Sequence, residues 1–81
     1  MWFMYVLRCS DNALYAGITN DINRRLREHN NAGAKSSKCT RSRLPVRLVY
    51  KEKHLTRSAA LKRENQIKLW SKARKEALIT G

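Results

Sequence analysis

Acidic residues are scarce in this 81-residue chain: 6 Asp and Glu stand against 18 Lys and Arg, a formal net charge of +12. Solubility asks a small domain for a net charge of only about 2 to 8. An excess this large, spread from Arg8 to Lys75, points to a polyanionic partner, of which nucleic acid is the commonest. Cysteine is also sparse. Cys9 and Cys39 are too few and too far apart for a disulfide framework. With His29 and His54 they match no zinc spacing, so both read as reduced structural thiols. Long apolar runs are missing, since no segment approaches the ~20 apolar residues that span a bilayer. The apolar opening from Met1 to Leu7 is short, lacks a basic lead-in and runs straight into Arg8, unlike a secretory address. The expected location is therefore cytoplasmic, with no membrane partner. No internal repeat or low-complexity segment is present, and residues 1–81 read as a single domain. A chain of this size buries only roughly 60% of its unfolded surface.

What is there reads as alternating elements. Met1 to Cys9 is almost continuously apolar, which suits a central strand covered on both faces. Ser10-Asp11-Asn12 supplies turn chemistry, and Ala13 to Thr19 returns as a second strand of a hairpin. If the register has an even residue sum, Tyr5, Tyr15 and Gly17 share one face, and Gly17 leaves room there for a ligand or a second backbone. Asn20 or Asp21 can cap a helix from Ile22 to His29, with Ile22 and Leu26 as its buried stripe. Ala32 to Pro45 is polar, basic and aperiodic, a loop whose Lys35, Lys38, Arg41 and Arg43 can contact a polyanion. Val46 to Tyr50 reads as a third strand, with Val46, Leu48 and Tyr50 on one face and Val49 on the other. Thr56 and Ser71 can cap helices from Arg57 to Leu69 and from Lys72 to Ile79. The expected fold is a small α/β sandwich, a three-stranded antiparallel sheet flanked by helices in the order β-β-α-β-α-α.

Two side chains sit oddly on these elements. Glu64 falls near the middle of the apolar stripe of the second helix, between Ala60 and Ile67 on one side and Leu61 on the other. A buried carboxylate needs a compensating partner or a metal ion. The plainer alternative is an ion pair at the rim of the stripe, with Lys62, Arg63 and Lys68 nearby. On the first helix, Arg25 and His29 stand at i and i+4 and share a face while Leu26 turns inward.

Met4-Tyr5-Val6, Tyr15-Ala16-Gly17, Arg25, and Glu64 within ALKREN resemble, in that order, the GIY-YIG nuclease superfamily, and most closely its small stand-alone UPF0213-like members. The likeness covers nearly the whole chain, including Gly33-Ala34-Lys35 and the stretch from Gln66 to Trp70. The spacing from Tyr15 to Arg25 is the one the superfamily uses, and His29 falls where its members place a His or Tyr one turn later. The resemblance implies an endonuclease that hydrolyses phosphodiester bonds with one divalent ion, Mg2+ or Mn2+, held by Glu64. It implies Arg25 on a non-bridging phosphate oxygen, Tyr5 as the favoured base for the attacking water, Tyr15 orienting that water or a phosphate oxygen, and His29 as the rival base. The unperturbed pKa of a tyrosine, near ~10, is high for a base, whereas that of histidine, about 6.5, suits neutral pH. Met4 stands where the superfamily has its first glycine. Ile18 replaces a lysine of the excision-repair members, and Ser71 to Gly81 offers no counterpart of a late asparagine. The expected substrate is DNA rather than RNA, recognised by structure more than sequence, in repair or recombination. The competing expectation is a basic nucleic-acid-binding module without catalysis. Trp2, Tyr50 and Trp70 are expected in core packing rather than stacked on bases.

Overall fold

A computed structural model of the chain describes residues 1–30 and 45–81, apart from the side chain of His29. Among them the elements run β1 (Trp2–Arg8), β2 (Leu14–Thr19), α1 (Ile22–Asn30), β3 (Arg47–His54), α2 (Arg57–Lys68) and α3 (Lys72–Thr80). The sheet is antiparallel with the order β2-β1-β3, so the apolar first strand is the central one. Met4, Val6 and Leu7 are almost wholly buried, and each such side chain contributes about 1.5–3 kcal/mol through burial. The hairpin closes as its turn chemistry predicts. Asn12 adopts a positive φ of 71°, a conformation that asparagine tolerates. The Asp11 carboxylate accepts from the Ala13 N–H at 3.1 Å.

Tyr5 pairs with Gly17 and Leu7 with Tyr15, so the register has the even sum that puts all four on one face. α1 covers that face. Ile22 and Leu26 pack against the cluster of Tyr5, Leu7, Cys9 and Val46. Asp21, the second of the two expected caps, starts this helix by accepting from the Arg24 N–H at 3.1 Å. The other face of the sheet carries Met4, Val6 and Ala16 against Ile67 of α2, with Leu78 and Ile79 of α3 alongside. Thr56 and Ser71 cap α2 and α3 through the Ala59 and Arg74 amides. Asn30 ties the end of α1 to the start of β3, accepting from the Val46 N–H at 2.7 Å and donating to its carbonyl at 3.0 Å. Arg8, through both terminal nitrogens, holds the Glu76 carboxylate and so fastens α3 to the end of β1.

β3 departs from expectation in two ways. It continues to His54, four residues beyond Tyr50, because the charged run Lys51-Glu52-Lys53-His54, alternately exposed and half-buried, pairs with β1, which supplies the ladder. Its register also slips between Val6, opposite Tyr50, and Leu7, opposite Leu48. Val49 is the additional residue of this bulge. Tyr50 therefore packs with Met4 and Val6, not on the face of Val46 and Leu48. On that same face Glu52 gathers Arg63 at 3.1 Å, the Tyr50 hydroxyl at 2.5 Å and His54 at 3.1 Å, which locks β3 to α2.

Candidate active site

The centre of the site is Tyr5, 2% exposed on the middle strand. Its ring lies over Gly17: a Cβ on that glycine would stand 2.6 Å from the Tyr5 hydroxyl oxygen. The space that Gly17 opens is thus filled by the chain's own phenol, not by a ligand. Burial pushes the Tyr5 pKa up to about 12; a hydrogen bond from Arg25 opposes the shift, while the charges of Tyr15 and Glu64 reinforce it. Arg25 of α1 is bonded to that hydroxyl, and the charges of Tyr15 on β2 and Glu64 on α2 act on it through space. At neutral pH the Tyr5 phenol is therefore protonated.

Arg25 rises from the core-facing side of α1 and donates to Tyr5. Desolvation works against its charge, yet the bonds to Tyr5 and Glu28 and the field of the phenols hold it above the ordinary arginine value. Its Nη1 lies 3.2 Å from Glu28 Oε1, an i,i+3 pair. Glu28 is a participant that the sequence reading passed over, although the spacing was visible.

Glu64 is 8% exposed and occupies the buried stripe of α2 with Ala60 and Ile67. Leu61, expected as its other apolar flank, instead reaches solvent. Glu64 is both buried and ion-paired, with Lys68 Nζ 2.7 Å from its Oε1. No three His, Cys, Asp or Glu side chains cluster as metal ligands among the described residues. A lone carboxylate suits magnesium or manganese, which rely on one or two carboxylates, substrate phosphates and waters. It does not suit zinc, whose sites take three or four protein ligands.

His29 belongs to α1 one turn beyond Arg25, but its side chain lies outside the described residues, as do Lys35, Lys38, Arg41 and Arg43. The described surface still carries exposed cations, among them Arg27, Lys51, Lys53, Lys62 and Lys72. Lys51 sits opposite Tyr5 across β1 and β3, a placement hidden until β3 proved longer than expected. Trp70 is half-buried against the Met4–Val6 cluster and flanked by Arg63 and Arg74 at 5.3 and 4.1 Å from its ring centre. No described helix is long and apolar enough to cross a membrane.

A small antiparallel sheet that carries two tyrosines, with an arginine and a buried carboxylate on the helices against it, here falls in a nuclease family. The GIY-YIG catalytic domain model matches residues 1–77, and the chain belongs to the GIY-YIG family. A UPF0213 protein of Desulfotalea psychrophila is 51% identical over 78 residues, covering 96% of this chain and 70% of that protein. One from Haloquadratum walsbyi is 47% identical over 76 residues, covering 94% of this chain and 83% of that protein. The solution structure of a UPF0213 protein from Bacillus halodurans is similar at a TM-score of 0.62 and 34% identity, covering 99% of this chain and 84% of that one.

Proposed function

We propose that this chain is a divalent-cation-dependent endonuclease that hydrolyses phosphodiester bonds, acting on DNA in preference to RNA and selecting structure over sequence. What supports the reading is Arg25 bonded to the buried Tyr5 over Gly17, with the charges of Tyr15 and Glu64 acting on the same phenol, in a chain of the GIY-YIG family. Arg25 holds a non-bridging phosphate oxygen as negative charge builds on phosphorus. The Tyr5 phenol, protonated in the free protein, keeps Arg25 aimed and donates toward the phosphate, while Tyr15 orients the attacking water. Glu64 would hold one Mg2+ or Mn2+, which when bound stabilises charge on the phosphate and its leaving oxygen. Water attacks phosphorus, one bridging P–O bond breaks, and the leaving oxygen takes up a proton. The water's own proton passes to His29; Tyr5 takes that role only as the tyrosinate, after added positive charge has lowered its pKa and its phenolic proton has gone to solvent. Exposed cations on all three helices and β3 grip the phosphate backbone, which carries no sequence information. Such an activity belongs in the cytoplasm, in repair or recombination of branched, nicked or single-stranded DNA.

The test is cleavage of those DNA forms with and without Mn2+. Glu64→Ala should abolish metal-dependent scission, and Arg25→Ala should slow it about 10²–10³-fold. The competing reading, a binding module without catalysis, draws on Ile18 at the lysine position and on the high Tyr5 pKa. It predicts salt-sensitive binding indifferent to chelators and no turnover by the wild type.

A further inference from the structure

We propose that Lys68 is a built-in counter-cation that holds the Glu64 carboxylate in the free protein and must leave it before a divalent cation can bind. The inference rests on the metal reading above and adds to it the residue that sets metal affinity. Glu64 is 8% exposed, and a carboxylate so far from water requires positive charge beside it. Lys68 supplies that charge from one turn along α2, with Nζ 2.7 Å from Oε1. A hard divalent ion would approach the same carboxylate to roughly 2.0–2.6 Å, so ammonium and metal compete for one small volume and repel each other across it.

The geometry makes the exchange feasible. Glu64 is held in the interior, but Lys68 has 51% of its side chain exposed and ends a flexible four-carbon stem. It can turn outward into water once a divalent ion takes its place beside Glu64. A monovalent ion replacing the ammonium would gain no charge, whereas a divalent ion doubles the attraction to Glu64. Lys68 therefore screens out the abundant monovalent cations and sets a threshold for divalent ones. The site's other charge is arranged in the same way: Arg25, the phosphate-binding guanidinium, carries Glu28 from its own helix at 3.2 Å. Each of these two charges thus has a partner of opposite sign on its own helix.

The test is Mn2+ binding to the full chain, followed by the electron paramagnetic resonance signal of free Mn2+ at fixed ionic strength. Lys68→Met and Lys68→Gln should each bind Mn2+ about fivefold more tightly than wild type, the equivalent of about 1 kcal/mol. Lys68→Arg, which keeps the charge, should stay near wild type, and Glu64→Gln should lose the site. Thermal melts by circular dichroism confirm that the variants remain folded. Unchanged or weaker Mn2+ binding in both neutral Lys68 variants, with Glu64→Gln still abolishing it, overturns the role of Lys68 and leaves the metal reading intact. Mn2+ binding that is insensitive to Glu64→Gln, or absent from every protein, overturns the metal reading and the counter-cation with it.

Discussion

Replacing Gly17 with alanine puts one methyl group where the structure has a phenol. The added Cβ would lie 2.6 Å from the Tyr5 hydroxyl oxygen, 2.8 Å from Cζ and 3.2 Å from Cε1, so the ring must move. It has little freedom to do so, because it is 2% exposed and packed among Leu7, Ile22 and Leu26. No glycine among the described residues has a positive φ, so alanine meets no backbone strain at this position. Reduced freedom of the unfolded chain would by itself stabilise the variant by about 0.4–1 kcal/mol. Overpacking costs about 1–3 kcal/mol and outweighs it. The net loss is on the order of 1–2 kcal/mol, which in a domain of this size lowers Tm by roughly 4–8 °C for each kcal/mol. Urea unfolding and thermal melts measure it directly. In the Tyr5→Phe background the hydroxyl contact is gone and only the ring contacts remain, so Gly17→Ala should cost less, and the double-mutant cycle reports the difference as coupling. A neutral or stabilising Gly17→Ala, or zero coupling to Tyr5→Phe, would refute the placement of this phenol over the second strand and with it the geometry of the site.

Two further outcomes follow from the titrating groups. Tyr5 keeps its proton to about pH 12 in the folded state, against ~10 for an unfolded tyrosine. Its stabilising contribution is thus complete below about pH 10 and disappears as pH rises to about 12, a loss on the order of 2–3 kcal/mol that Tyr5→Phe should remove from the pH dependence of urea unfolding. Glu52 has the opposite sign. Desolvation opposes its ionisation, but hydrogen bonds from Arg63, Tyr50 and His54 hold its pKa below the ordinary 4.5. Glu52→Gln should accordingly cost about 1–3 kcal/mol at pH 7, with the gap to wild type closing as pH falls below about 4; a gap that persists in acid would show that packing, not charge, holds β3 to α2.

Much of the architecture was legible because its causes are local. Asp21, Thr56 and Ser71 each accept from an amide three residues on, and a cap of that kind can be read from a few adjacent letters. The same holds for Asn12 in the hairpin turn and for the shared face of Tyr5, Tyr15 and Gly17, which needs only the parity of the strands. The four extra residues of β3 were hidden for the converse reason. Lys51-Glu52-Lys53-His54 has no apolar pattern, and its ladder depends on what β1 offers from across the sheet. The bulge at Val49 likewise depends on two strands at once, which is why the face of Tyr50 was misread.

The chain's order of residues was sufficient, on its own, for the strongly basic character and the succession of elements, and its resemblance to a known family singled out Tyr5, Tyr15, Arg25, His29 and Glu64. The first two rest on composition, spacing or short-range periodicity, and the third on motifs kept in order along the chain. The protonation of Tyr5 and the ion-pair partners of Arg25 and Glu64 were decided only in three dimensions. α1 buries Tyr5 deeply enough for desolvation to overcome the pull of Arg25, and α2 carries Glu64 into the interior with Lys68 attached. Burial and Coulomb interactions depend on distance through the folded chain, and no reading along it contains that quantity.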